Sequence, residues 1–160
     1  MKHSSSLTEN VPLYTAAQRE RRNSSRWTLV QGILAPVQFL VFLVSAALLI
    51  RYLVSGLGFE IAAASVVIKT LFLYAIMYTG ALWEHDVYGQ YLFAPAFYWE
   101  DMVSMVVIAL HTAYLALYLT GWGSTALLVS VAIAAYVTYV VNAAQFVLKL
   151  RQARLTAETN

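Results

Sequence analysis

Apolar residues run along this chain in four long blocks separated by short polar breaks. Three of them, residues 27–50, 61–83 and 124–148, match or exceed the roughly 20 residues that a helix needs to cross a hydrocarbon core. The fourth, 102–119, is shorter and contains His111, but Trp99 and Trp122 flank it where interfacial tryptophans belong. The pattern predicts an all-α integral membrane protein, a four-helix bundle with spans over about 27–51, 60–83, 100–119 and 124–148. A membrane domain of residues 27–150 then lies between an N-terminal segment, 1–26, and a tail, 151–160.

The flanks orient the bundle. Arg19, Arg21, Arg22 and Arg26 precede the first span, and Lys149, Arg151 and Arg154 follow the last, whereas the connection after the third span has no Lys or Arg. The positive-inside rule therefore predicts cytoplasmic N- and C-termini. The stretch from Glu84 to Asp101 falls on the same face despite having no Lys or Arg. Residues 1–13 are polar, aperiodic and expected to be mobile, while residues 15–26 suit an amphipathic surface helix whose ordinary role is a topology signal. No cleavage site follows the first block, which reads as a permanent helix and not a signal peptide.

Composition narrows the chemistry. Of 160 residues, 61% are hydrophobic and 11% charged, which is unlike a soluble domain. Cysteine is absent, which removes disulfides, thiolate nucleophiles and Cys-ligated metals. The net charge of +2 is carried by residues flanking the spans, so no nucleic-acid stripe exists.

Polar side chains inside a bilayer are costly unless they face the bundle interior. Gln31, Gln38 and Ser45 recur every seven residues; Glu100, Ser104, His111, Tyr114 and Tyr118 share roughly one face; Thr138, Asn142, Gln145 and Lys149 form a third stripe. These stripes are expected to converge on one cavity in the cytoplasmic half, with His111 and Gln38 deeper. Lys69 is the exception, toward the outer side, and is expected to snorkel or pair locally. For each Gln and Asn taken alone, interhelical hydrogen bonding is the ordinary explanation. For His111, a hydrogen-bonded histidine between helices and a catalytic or ligand role are equally open.

The carboxylates carry more weight. Glu84, Asp86, Glu100 and Asp101 bracket a loop, residues 89–98, that is aromatic and apolar although it joins two spans. Such a semi-buried aromatic loop is expected to dip back and line a site with rings. Glu84 and Glu100 are expected to face one another there, with Asp101 about a quarter-turn away. Carboxyl groups crowded in apolar surroundings can hold a proton at neutral pH and act as a general acid. This admits an acid–base enzyme on a lipidic molecule, a pigment- or haem-binding subunit, or a small proton-coupled carrier.

The chain resembles the vinyl-bacteriochlorophyllide hydratase family through several blocks. These are Tyr14-Thr15-Ala16-Ala17-Gln18-Arg19, Trp27-Thr28-Leu29-Val30-Gln31-Gly32-Ile33-Leu34-Ala35-Pro36, and the central Gly89-Gln90-Tyr91-Leu92-Phe93-Ala94-Pro95-Ala96-Phe97-Tyr98-Trp99-Glu100-Asp101. His111-Thr112-Ala113-Tyr114, Asn142-Ala143-Ala144-Gln145-Phe146 and Lys149-Leu150-Arg151-Gln152-Ala153-Arg154 continue it. The resemblance implies a hydro-lyase that adds water to the 3-vinyl group of chlorophyllide a, giving the 3-(1-hydroxyethyl) product of bacteriochlorophyll a biosynthesis. Glu100 is then expected to deliver the proton, with Asp101, Glu84 or His111 handling the water. Gln31, Gln38, His85, Phe97, Tyr98, Trp99, Asn142 and Gln145 are the candidates for substrate binding.

The resemblance also implies that no cofactor is needed, since magnesium arrives with the substrate; His111 or His85 as its axial ligand ranks below the acid–base role. The expected partners are chlorophyllide a or a related vinyl tetrapyrrole, membrane lipid, and the next enzyme of the pathway. The expected location is the bacterial cytoplasmic or intracytoplasmic photosynthetic membrane. The competing reading is a non-enzymatic pigment-binding or assembly protein of such a membrane, which would need one axial ligand and no acid.

Overall fold

A computed structural model describes residues 12–158. The described chain is all-helical: α1 (Ala16–Ser24), α2 (Arg26–Ser55), α3 (Phe59–Tyr88), α4 (Tyr98–Thr120) and α5 (Thr125–Glu158). Each of α2 to α5 is long and apolar enough to cross a membrane, so the chain is a multi-pass membrane protein. Of the N-terminal stretch expected to be mobile, residues 1–11 lie outside the described residues, as do residues 159 and 160 of the tail.

Local chemistry sets the breaks. Thr15 and Gln18 form a reciprocal capping box that starts α1. Ser25 ends that helix in extended backbone, and its hydroxyl then accepts from the Trp27 amide to start α2. Gly56 and Gly89 adopt left-handed backbone at the ends of α2 and α3, a conformation that glycine reaches without a Cβ clash.

α3 runs past the expected boundary at 83 to Tyr88, which places Glu84 and Asp86 inside a helix and not in the loop. α4 begins at Tyr98, and α5 continues to Glu158, so most of the expected tail is helical.

α2 packs along α3 and α4 along α5, forming two hairpins. The hairpins meet through Phe42, whose ring sits 5.2 Å from Tyr136 and 4.8 Å from Tyr139, and through Ser45, which hydrogen-bonds both Ser65 and Tyr136. Leu29, Val44, Val54 and Val147 are exposed, as they should be where lipid is the solvent.

Of the two expectations for Lys69, local pairing holds and snorkelling does not. This lysine is fully buried between the hairpins, donates to Gln38 Oε1 at 2.7 Å and lies 3.6 Å from the Tyr139 ring centroid. A carbonyl oxygen and a π face give the ammonium partners inside the protein, so it has no need to reach for the interface.

Candidate active site

The last turn of α3 and the first turn of α4 come together around the loop between them. Glu84 projects from α3 and Asp101 from α4; both are about 5% exposed, at 4% and 5%. Their carboxyl groups lie side by side at this corner, each reached by one of two successive loop amides. Ionised carboxylates only accept, so two such groups can bond one another directly only when one of them carries a proton.

The loop backbone holds the pair. The Ala94 amide donates to Glu84 Oε1 at 2.6 Å, and the Phe93 amide donates to Asp101 Oδ2 at 2.8 Å. Phe93 has φ of 62°, left-handed backbone that is uncommon outside glycine, and this conformation lets successive amides point at the pair. Ala94 is fully buried and Phe97 nearly so. The Phe97 ring packs against Trp83, Tyr88 and Phe146, at 5.7, 5.9 and 5.9 Å.

Glu100 occupies a different environment. Adjacent helical residues point apart, and Glu100 faces α5, where Lys149 Nζ meets its Oε2 at 2.7 Å. Asn142 donates to the Glu100 carbonyl at 2.8 Å and accepts from Ser104. The expected facing pair of Glu84 and Glu100 is thus replaced by Glu84 with Asp101, because the turn of α4 that aims Asp101 at α3 aims Glu100 at α5.

The other candidates divide. Gln31 is spent on α3, donating to Thr79 at 2.7 Å and to the Ile76 carbonyl, and Gln38 is spent on Lys69. Gln145 is half-buried beside Asn142. The polar stripes therefore form separate clusters along the bundle and not the single cavity expected. His85 is exposed and stacked on Tyr91 at 4.3 Å, whereas neighbouring Asp86 accepts from Ser25 at 2.6 Å. Tyr98 and Trp99 face outward, 44% and 70% exposed. His111 is fully buried; its Nδ1 bonds the Val107 carbonyl at 2.8 Å, and its Nε2 has no partner.

A strap from the N-terminal side closes over the site. Tyr14 is buried, stacks on Tyr88 at 6.1 Å, and carries the Arg22 guanidinium 4.7 Å from its ring centroid. Burial holds the Tyr14 hydroxyl above the usual tyrosine range, and Arg22 partly opposes that shift.

Sequence reasoning did not assign Lys149 or the Phe93 and Ala94 amides to the site. Lys149 carried a usable signal, its place at the end of the α5 polar stripe. The amides carried none, since Phe93 is not a residue type that marks left-handed backbone.

The sequence pattern of the family described as 2-vinyl bacteriochlorophyllide hydratase matches residues 14–152. The 2-vinyl bacteriochlorophyllide hydratase of Cereibacter sphaeroides is 60% identical to this chain over 146 residues, 91% of each protein. That of Rhodobacter capsulatus is 59% identical over 145 residues, 91% of this chain and 84% of the relative. No solved structure matches the chain.

Proposed function

Because the chain belongs to the 2-vinyl bacteriochlorophyllide hydratase family, it is a hydratase of bacteriochlorophyll biosynthesis, and we propose that the proton it uses is the one shared by Glu84 and Asp101. The substrate of this reading is chlorophyllide a, whose 3-vinyl group becomes 3-(1-hydroxyethyl).

The steps balance without electrons. The acid pair gives its proton to the terminal vinyl carbon, which becomes a methyl group, and the positive charge on the inner carbon spreads into the macrocycle. Water then bonds to that carbon and releases one proton. The pair is now doubly charged in apolar surroundings, a state that two adjacent carboxylates resist, so it recaptures the proton from the water. One dyad can therefore serve as acid and then as base. The loop amides stabilise the negative charge in between, as preorganised donors do where charge develops.

Glu100 is engaged by the Lys149 ammonium on the α5 side, away from the acid pair, and acts there as its counter-ion. His111 lies roughly 15 Å further along α4 than Asp101, which keeps it out of the transfer. Gln31, Gln38 and Asn142 hold helices together, Gln145 accepts from Asn142 within α5, and Phe97 backs the loop. Tyr98 and Trp99, exposed at the start of α4, offer rings to a flat macrocycle arriving through the lipid. Moving a proton and a water needs no redox cofactor, and magnesium enters as part of the substrate. We place the protein in a bacterial cytoplasmic or intracytoplasmic photosynthetic membrane, both termini cytoplasmic, with product passed to the next pathway enzyme.

The single observation behind this mechanism is that the successive amides of Phe93 and Ala94 hold the Asp101 and Glu84 carboxyl groups side by side. Its test is conversion of chlorophyllide a by membranes containing only this chain, in water enriched in heavy oxygen, read by pigment chromatography and mass. The expected product gains one labelled water. Pigment bound in stoichiometric amount with no conversion would instead make the chain a binding protein.

A further inference from the structure

The Glu84–Asp101 pair lies between α3 and α4, yet the loop above it is also held from α5. Lys149, its side chain 26% exposed, donates to the Ala96 carbonyl as well as to Glu100. Its ammonium also lies 5.4 Å from the Phe97 ring centroid, and one turn back Phe146 stacks on that same ring.

Ala96 is the third residue of a tight turn. The Phe97 amide donates to the Ala94 carbonyl at 2.8 Å, with Pro95 at the second position, where its fixed φ suits the turn. The first residue of the turn is Ala94, whose amide holds Glu84, and Phe93 beside it holds Asp101. Pulling on the carbonyl of Ala96 therefore bears directly on where those two amides point. The left-handed backbone of Phe93 makes a restraint necessary, since such a conformation persists only where its surroundings over-determine it.

Charge acts in the same direction. Once the pair has given up its proton it carries two negative charges, and an uncompensated Glu100 one residue from Asp101 would add a third. The Lys149 ammonium removes that repulsion.

We propose that Lys149 is a positioning residue for the hydration: through the Ala96 carbonyl and the Glu100 carboxylate it locks the Ala94–Phe97 turn so that the Phe93 and Ala94 amides stay on the acid pair. The proposal deepens the reading of Glu84 and Asp101 as the proton source and rests on it. Lys149 itself touches neither substrate nor the moving proton.

Steady-state hydration in membranes and infrared spectroscopy of the purified protein test it together. Lys149→Met is expected to lower kcat roughly 10- to 100-fold with KM changed less than about threefold, as misplacement of reacting groups does. Lys149→Arg should recover most of the loss by restoring the cation and a donor. Glu100→Gln combined with Lys149→Met should stay slow, because the hold on Ala96 is still missing. The infrared spectrum should show a protonated carboxyl stretch, identified by its loss in Glu84→Gln, and Lys149→Met should shift it. A lysine that only stabilises the fold would lower protein level or thermal midpoint and leave both kcat and that band in place, which overturns the proposal. Full recovery by the double variant overturns it too, reducing Lys149 to a counter-ion of Glu100. If Lys149→Met does not accumulate, Lys149→Gln makes the same comparison with the same expected loss. Absence of any protonated carboxyl band in the unsubstituted protein is a separate outcome, and it removes the acid pair itself.

Discussion

The carboxyl groups of Glu84 and Asp101 meet across the α3–α4 corner, and each receives one backbone amide of the loop that joins those helices. This closes a ring of interactions in which the helices aim the acids and the loop holds them. Its arrangement separates the four acidic residues of the region by role. In the proposed mechanism Glu84 and Asp101 share a proton, whereas Glu100 is paired with Lys149 and Asp86 ties α3 to the start of α2 through Ser25.

That division predicts an order of sensitivity in turnover. Glu84→Gln and Asp101→Asn should each lower the conversion of vinyl to hydroxyethyl pigment by about 10²- to 10⁴-fold, the usual contribution of a positioned acid or base. Glu100→Gln should cost less than about tenfold by the same measure. Chromatography of pigments from membranes with matched protein levels reads all three, and full activity in Glu84→Gln would remove the dyad from the mechanism.

Lys69 and Gln38 predict an asymmetry in stability. Gln38→Leu leaves a fully buried ammonium with only the Tyr139 face, and should destabilise the bundle by about 3 kcal/mol. Lys69→Met removes the charge and should be near neutral, and adding it to Gln38→Leu should restore most of the loss. Thermal unfolding in detergent measures this; equal losses in both single variants would contradict it.

The capping box of α1 can be probed without touching the bundle. Thr15→Ala should cost about 1 kcal/mol of helix stability there. Hydrogen exchange is expected to speed up over residues 16–20 while α2 to α5 keep their protection. Unchanged exchange in α1 would show that Tyr14 and Arg22, and not the cap, hold the strap.

Chelation tests the proposed absence of a resident metal. Prolonged dialysis against a chelator, followed by assay with intact chlorophyllide, should leave turnover unchanged. Activity lost in this way and restored by adding a metal ion would require a step that the carboxyl pair does not supply.

Much of the fold was legible in the hydrophobic pattern, because a helix in lipid must satisfy its backbone internally and announces itself by length. The boundaries were less so: α3 outruns its apolar stretch by carrying Glu84 inward, where Asp101 and the loop amides receive it. The carboxylate cluster was legible as a region but not as pairs. Glu100 and Asp101 are neighbours in sequence, and only the phase of α4 decides which meets α3 and which meets α5. For Lys69 the choice between snorkelling and a local partner stayed open for a related reason, since depth along a helix says nothing of which side faces a partner.

Because main-chain N–H groups grip the acids, the loop's defining property is its length. Exposed side chains of this loop, such as Gln90 and Tyr91, can be exchanged while those donors remain in place. Adding or deleting a single residue would slide both amides off their oxygens at once. Natural variation in this segment should therefore admit replacements at its exposed positions and be barren of gaps.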